Sequence, residues 1–103
     1  MGGKISSVTP NIISINQTVN VAIDITNTSL STNLSLWLSY DSLGCFQEIF
    51  PNNTSVIVNQ VNANFSVPSN ALNGWWDIKI ANQTDGLIVG KDMIRIIGIV
   101  SVQ

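Results

Sequence analysis

Charge is scarce in this chain: of 103 residues only four are Lys or Arg and six are Asp or Glu, so charged residues make up 10%, against about 25% in an average soluble domain. The four cations, Lys4, Lys79, Lys91 and Arg95, are spread along the sequence and the formal charge is −2. No basic stripe exists to neutralise phosphates, which excludes nucleic acid as an expected partner and argues against docking to an anionic membrane surface. Histidine is absent altogether. A Ser-His-Asp or Cys-His catalytic arrangement is therefore excluded, as is an imidazole metal ligand. Cys45 is the single cysteine, so no intrachain disulfide can form, and with no histidine to activate its thiol it is read as a small apolar residue beside Phe46. Long apolar runs are missing too. The longest, Ile96 to Val102, falls far short of the roughly 20 residues of a membrane-spanning helix, and no membrane insertion is expected.

At 103 residues the chain has room for one domain and one core. Its Met-Gly-Gly-Lys start leads into Ser, Thr and Pro, not into the apolar stretch of a signal peptide. Residues 1–4 are expected to be a linker or an expression-derived start, and residues 5–103 a single domain.

Polarity comes instead from thirteen Asn, twelve Ser and seven Thr, interleaved with apolar residues at period two. Val19, Val21, Ile23 and Ile25 alternate with mostly polar neighbours, as do Leu34, Leu36, Leu38 and Tyr40, then Val61, Ala63, Phe65 and Val67, then Trp76, Ile78 and Ile80. Such alternation sends one set of side chains to a core and the other to solvent, the pattern of half-buried strands. Shorter strands are predicted at Lys4 to Val8, Phe46 to Phe50 and Ser55 to Asn59, and a last one at Met93 to Val100. Between them stand Thr9-Pro10-Asn11, Asn27-Thr28-Ser29, Asp41-Ser42-Leu43-Gly44, Pro51-Asn52-Asn53, Pro68-Ser69-Asn70, Asn73-Gly74 and Asp85-Gly86, all suited to bends. No segment shows the 3.6-residue repeat and caps of a long helix. The fold class expected is all-β, an immunoglobulin-like antiparallel β-sandwich of about seven strands.

Acidic residues offer little chemistry. Asp24, Asp41, Glu48, Asp77, Asp85 and Asp92 are scattered singly, so a catalytic carboxylate pair would need convergence in the fold. No Asp-x-Asp-x-Asp loop for calcium appears, although Asp85 and Asp92 could meet across a hairpin. Gly86 to Gly90 lacks the Lys-Ser/Thr ending of a phosphate loop. No catalytic residue, metal or cofactor is expected.

The aromatic residues are more informative. In an immunoglobulin-like sandwich the third strand neighbours the sixth, here Leu34 to Tyr40 beside Trp75 to Ala81. With Leu34, Leu36 and Leu38 facing Trp76, Ile78 and Ile80 in the core, Trp37 and Trp75 fall on the outer face, near Lys79 and close to Met93 and Arg95 of the last strand. Exposed indoles rimmed by polar groups suit an interaction surface, and their flat faces suit the C–H faces of sugar rings. The alternative is that they pair across strands or pack on a neighbouring domain. Asn-x-Ser/Thr sequons occur at Asn16, Asn27, Asn33, Asn52, Asn53, Asn64 and Asn82. They are either glycan acceptors or incidental to so Asn- and Ser-rich a chain.

Four segments carry a family resemblance: Ile5-Ser6-Ser7-Val8-Thr9-Pro10-Asn11, Gln17-Thr18-Val19-Asn20-Val21, Asn64-Phe65-Ser66-Val67-Pro68-Ser69-Asn70-Ala71 and Gly74-Trp75-Trp76-Asp77-Ile78. In order and spacing they resemble the IPT/TIG-like repeats of bacterial secreted and cell-surface proteins, and Leu43 to Asn53 departs from that pattern. The resemblance implies an early-set immunoglobulin-like sandwich, often one of several tandem modules in adhesins or polysaccharide-degrading systems, with no catalytic residues to carry over. The favoured expectation is an extracellular structural or adhesion module contacting neighbouring domains of a larger protein. A carbohydrate-binding accessory module using Trp37 and Trp75 is the alternative, and a homo-oligomer assembled through the edge of Met93 to Val102 is the third reading.

Overall fold

The computed structural model describes residues 3–26, 34–82 and 86–98. Nine strands form two sheets: β1 (Lys4–Thr9), β2 (Ile12–Ser14), β3 (Thr18–Thr26), β4 (Leu34–Ser42), β5 (Cys45–Ile49), β6 (Asn53–Ile57), β7 (Gln60–Ser66), β8 (Gly74–Asn82) and β9 (Gly86–Ile97). The four-stranded sheet has the order β1-β3-β7-β6 and the five-stranded sheet the order β2-β9-β8-β4-β5. This is an immunoglobulin-like sandwich, in which β4 and β8 are indeed neighbours, with Leu36 opposite Ile80 and Leu38 opposite Ile78. No described residue is helical.

Nine strands stand where about seven are expected; among them only β2 has no counterpart in the segments read from alternation, and the last strand is longer than predicted. β2, at Ile12–Ser14, is too short to alternate visibly in sequence. It forms because the chain crosses from one sheet to the other after β1 and Ile13 drops into the core opposite Ile96. β9 starts at Gly86, well before the expected Met93, and continues through Gly90. Its outward Leu87 and Val89 hid the alternation, because both faces of this strand are apolar. β1 already includes Lys4, which pairs with Thr26.

Turn chemistry accounts for the hairpins. Leu43 and Gly44 both have positive φ, 54° and 80°, which gives the two-residue connection whose twist matches that of β4 and β5. Pro68 to Ala71 makes the expected short turn, closed by the Ala71 N–H donating to the Pro68 carbonyl.

Between the sheets lies a core of Ile13, Val21, Ile23, Leu38, Val61, Phe65, Trp76, Ile78, Ile80, Ile94 and Ile96, each almost fully buried. The Trp76 indole satisfies its N–H on the Leu72 carbonyl at 2.9 Å, and its ring meets Tyr40 at a centroid distance of 5.4 Å. Core and loop are thereby tied together, since Gln47 also binds that loop, donating to the Asn70 carbonyl and accepting from the Leu72 N–H. β1 begins beside Thr26 at one pole of the sandwich. β9 finishes at the other, where the Ile97 carbonyl accepts from Ile15 N–H and Val67 exchanges backbone bonds with Asn16 and Gln17.

Candidate functional site

The outer faces of the two sheets differ in kind. On the four-stranded sheet, side-chain amides and hydroxyls bond to one another across strands. Asn52 donates to Asn64 at 2.7 Å and Asn64 to Asn20 at 2.8 Å, while Asn62 donates to Gln60, Gln60 to Asp24 and Ser7 to Asp24. Gln60 first and Ser7 second hold the Asp24 carboxyl below the ordinary carboxylate range, because both bonds favour its charged form. This face spends its polar groups on itself.

The five-stranded sheet presents rings and aliphatic groups instead. Ile12, Phe46, Phe50, Trp75, Leu87 and Val89 are all exposed. The register puts Trp37 opposite Lys79, Lys79 opposite Val89, and Trp75 opposite Arg95, so Trp37, Trp75, Lys79 and Arg95 share this face as the alternation predicts.

Met93 does not join them. Between the pairs Trp76–Ile94 and Ile78–Gly90, β8 supplies one residue and β9 three, so Lys91, Asp92 and Met93 form a bulge. Asp92 takes φ of 52° there, and the turned backbone sends Met93 inward, against the core and over Gly90. Parity counted through a bulge gives the wrong face.

Nor do the tryptophans form one platform. Trp75 and Lys79 are four residues apart on one strand, and Trp37 lies level with Lys79, so roughly 13 Å of strand separates the two indoles at ~3.3 Å per residue. Trp37 is half-buried: its ring stacks on Phe50 at 6.0 Å and 25°, and its buried N–H has no acceptor among the described residues. It belongs to a groove of about 450 Å³ with Leu34, Glu48, Phe50 and Pro51.

Trp75 stands in a different place, a cleft of about 360 Å³ lined by Ser39, Tyr40, Asp41, Ser42, Trp75, Asp77, Lys91 and Asp92. Ser39 is 2% exposed and sits level with Asp77. Asp77 accepts from the Lys91 ammonium at 3.3 Å and from the Asp92 backbone N–H at 2.8 Å, which locks the bulge onto β8. Three carboxylates and the Lys91 ammonium thus line the cleft, beside an indole that is 46% exposed and level with Arg95. Alternation places Trp75 beside Arg95, as the register bears out, but does not reveal the acidic lining, because Asp41, Asp77 and Asp92 come together only through strand pairing and the bulge.

Other expected positions fall as follows. Cys45 is exposed at the start of β5 and is not packed, since the hairpin turn holds it clear of the core. Asn16, Asn52 and Asn53 are exposed, Asn64 is engaged in the amide ladder, and Asn82 is buried; Asn27, Asn33 and Asp85 lie outside the described residues. Among the described residues no group of three His, Cys, Asp or Glu side chains is placed to hold a metal, and no helix is long and apolar enough to cross a membrane. No family model and no curated protein matches the chain.

Proposed function

We propose that this chain is a non-catalytic immunoglobulin-like module of a larger secreted or cell-surface protein, a spacer and adhesion domain that makes its contacts through the outer face of the five-stranded sheet. One observation carries the reading: that face exposes Ile12, Phe46, Phe50, Trp75, Leu87 and Val89, whereas the opposite sheet exposes Ile57 at its edge and Val58 in the adjoining turn, beside a ladder of side chains bonded to one another. Six large apolar side chains exposed on one sheet face, with polar groups between them, cost solubility unless a partner covers them. The likeness to IPT/TIG-like repeats points the same way. Strand β1 starts at one pole and β9 ends at the other, an arrangement that suits modules strung in line. Homo-oligomerisation through the last strand would use Gly86 to Gly90, because β2 already pairs with Arg95 to Ile97.

A photo-crosslinking amino acid placed at Val89, and separately at Asn62 on the opposite sheet, in the full-length protein in its native host tests the reading. Crosslinked species from position 89 and none from 62 are expected. Equal yields from both positions, or none from 89, would overturn it.

A further inference from the structure

We propose that the Trp75 cleft is a saccharide-binding site, selective for neutral or amino-sugar pyranosides over uronic or sulfated ones. This rests on the five-stranded sheet's outer face being the contact face, and names a ligand class for one part of it.

The cleft of about 360 Å³ lies at the small end of the roughly 300–1,000 Å³ of small-ligand sites. Trp75 gives it a flat apolar wall, 46% exposed, complementary to the C–H face of a pyranose ring. Opposite kinds of group complete it. The carboxylates of Asp41 and Asp92 and the hydroxyls of Ser39 and Ser42 line the same space, and a carboxylate oxygen accepts hydrogen bonds from sugar hydroxyls without needing a charge partner. Trp37, by contrast, has one ring face on Phe50 and its N–H buried, so it offers no such wall.

Preorganisation follows from how the site is built. Trp75 is held on β8 by its pairing with Arg95 of β9, and Asp77 fixes the bulge through the Asp92 N–H. The backbone that carries the lining groups is therefore set without a ligand. Selectivity follows from charge: Asp41, Asp77 and Asp92 outnumber the cations around Trp75, which are Lys91 of the cleft and Arg95, level with Trp75 on β9. A uronate or sulfate ester brought against them is repelled, while a hydroxyl or ammonium is not.

The test is a titration followed by backbone and indole N–H resonances, using cellohexaose, xylohexaose, mannohexaose, a chitosan hexamer and an oligogalacturonate as probes. The expected result is saturable movement of the Trp75 indole signal and of the Ser39 and Asp92 amides with at least one neutral or amino-sugar probe, and none with oligogalacturonate. Trp75→Ala should weaken that binding at least tenfold, and Asp41→Asn severalfold, both with dispersed spectra that show an intact fold; Trp37→Phe should bind as the parent does. Silence with every neutral and amino-sugar probe, binding unchanged in Trp75→Ala, or tighter binding of oligogalacturonate would each overturn the proposal. Crosslinking from Val89 in the same protein separates the two levels: crosslinks without any sugar response remove the saccharide site and leave the contact face standing.

Discussion

The Asp77 carboxylate accepts the backbone N–H of Asp92 at 2.8 Å, joining the middle of β8 to the three-residue bulge of β9. This bond satisfies a donor that the bulge removes from the sheet ladder, and it shapes one side of the Trp75 cleft. The nearby Lys91 contact, at 3.3 Å, involves an ammonium that is 73% exposed, so little of the stabilisation belongs to it.

Asp77→Ala should therefore destabilise by about 1–3 kcal/mol, the cost of leaving a backbone donor without its charged acceptor. Asp77→Asn, which keeps a carbonyl oxygen at the same place, should lose less than half as much. Lys91→Ala should be within about 0.5 kcal/mol of the parent. Urea unfolding of the three variants checks the order, and an equal loss in Lys91→Ala and Asp77→Ala would show that the ion pair, not the backbone bond, is what matters.

Gly90 is required for a steric reason. A Cβ there would lie 2.7 Å from Met93 Cγ and 2.9 Å from Ile5 Cδ1. Gly90→Ala should cost about 1–3 kcal/mol through overpacking, and Gly90→Ala combined with Met93→Ala should recover part of that loss. Thermal unfolding of the single and double variants measures the coupling; simple additivity would refute it.

The adjacent tryptophans should behave oppositely. Trp76 is fully buried and donates to the Leu72 carbonyl, so Trp76→Ala should cost about 3–5 kcal/mol. Trp75→Ala should stay within about 0.5 kcal/mol, as expected of a surface position. Comparable losses for both would mean that the outer face is packed in solution.

Acid should weaken the four-stranded sheet through Asp24. Its folded carboxyl sits below the unfolded value of 3.8 because Gln60 and Ser7 donate to it. The resulting stability is complete above about pH 5 and is lost as pH falls through 3.8 toward the folded value. Asp24→Asn should lie below the parent in melting temperature at pH 6, and the gap should close as pH falls below 3.8. The gap should be small, since Asp24 is only half-buried on the sheet surface and solvent screens its charge. A gap that widens on acidification would contradict the assignment.

Much of this architecture is legible in the linear pattern. Val21, Ile23, Phe65, Trp76, Ile78 and Ile80 declare the inner face by alternation alone, since side chains on a strand point to opposite sides with period two. The same rule places Trp37, Trp75, Lys79 and Arg95 on one outer face. It fails at Met93, because the β9 bulge inserts residues that a count of odd and even positions does not see. It also fails to foresee β2, three residues long, and the early start of β9, where Leu87 and Val89 make both faces apolar.

Composition and periodicity are local properties, and they decided that the chain is a two-sheet sandwich with no histidine chemistry. Which outward residues meet is a matter of register, and register is set by partners distant in the chain. Only the folded sheet could bring Asp41 of β4, Asp77 of β8 and Asp92 of β9 around Trp75, and hold Trp37 apart against Phe50. Strand pairing and one pinned bulge divide the tryptophans of the outer face into a half-buried packing residue and the open wall of a cleft.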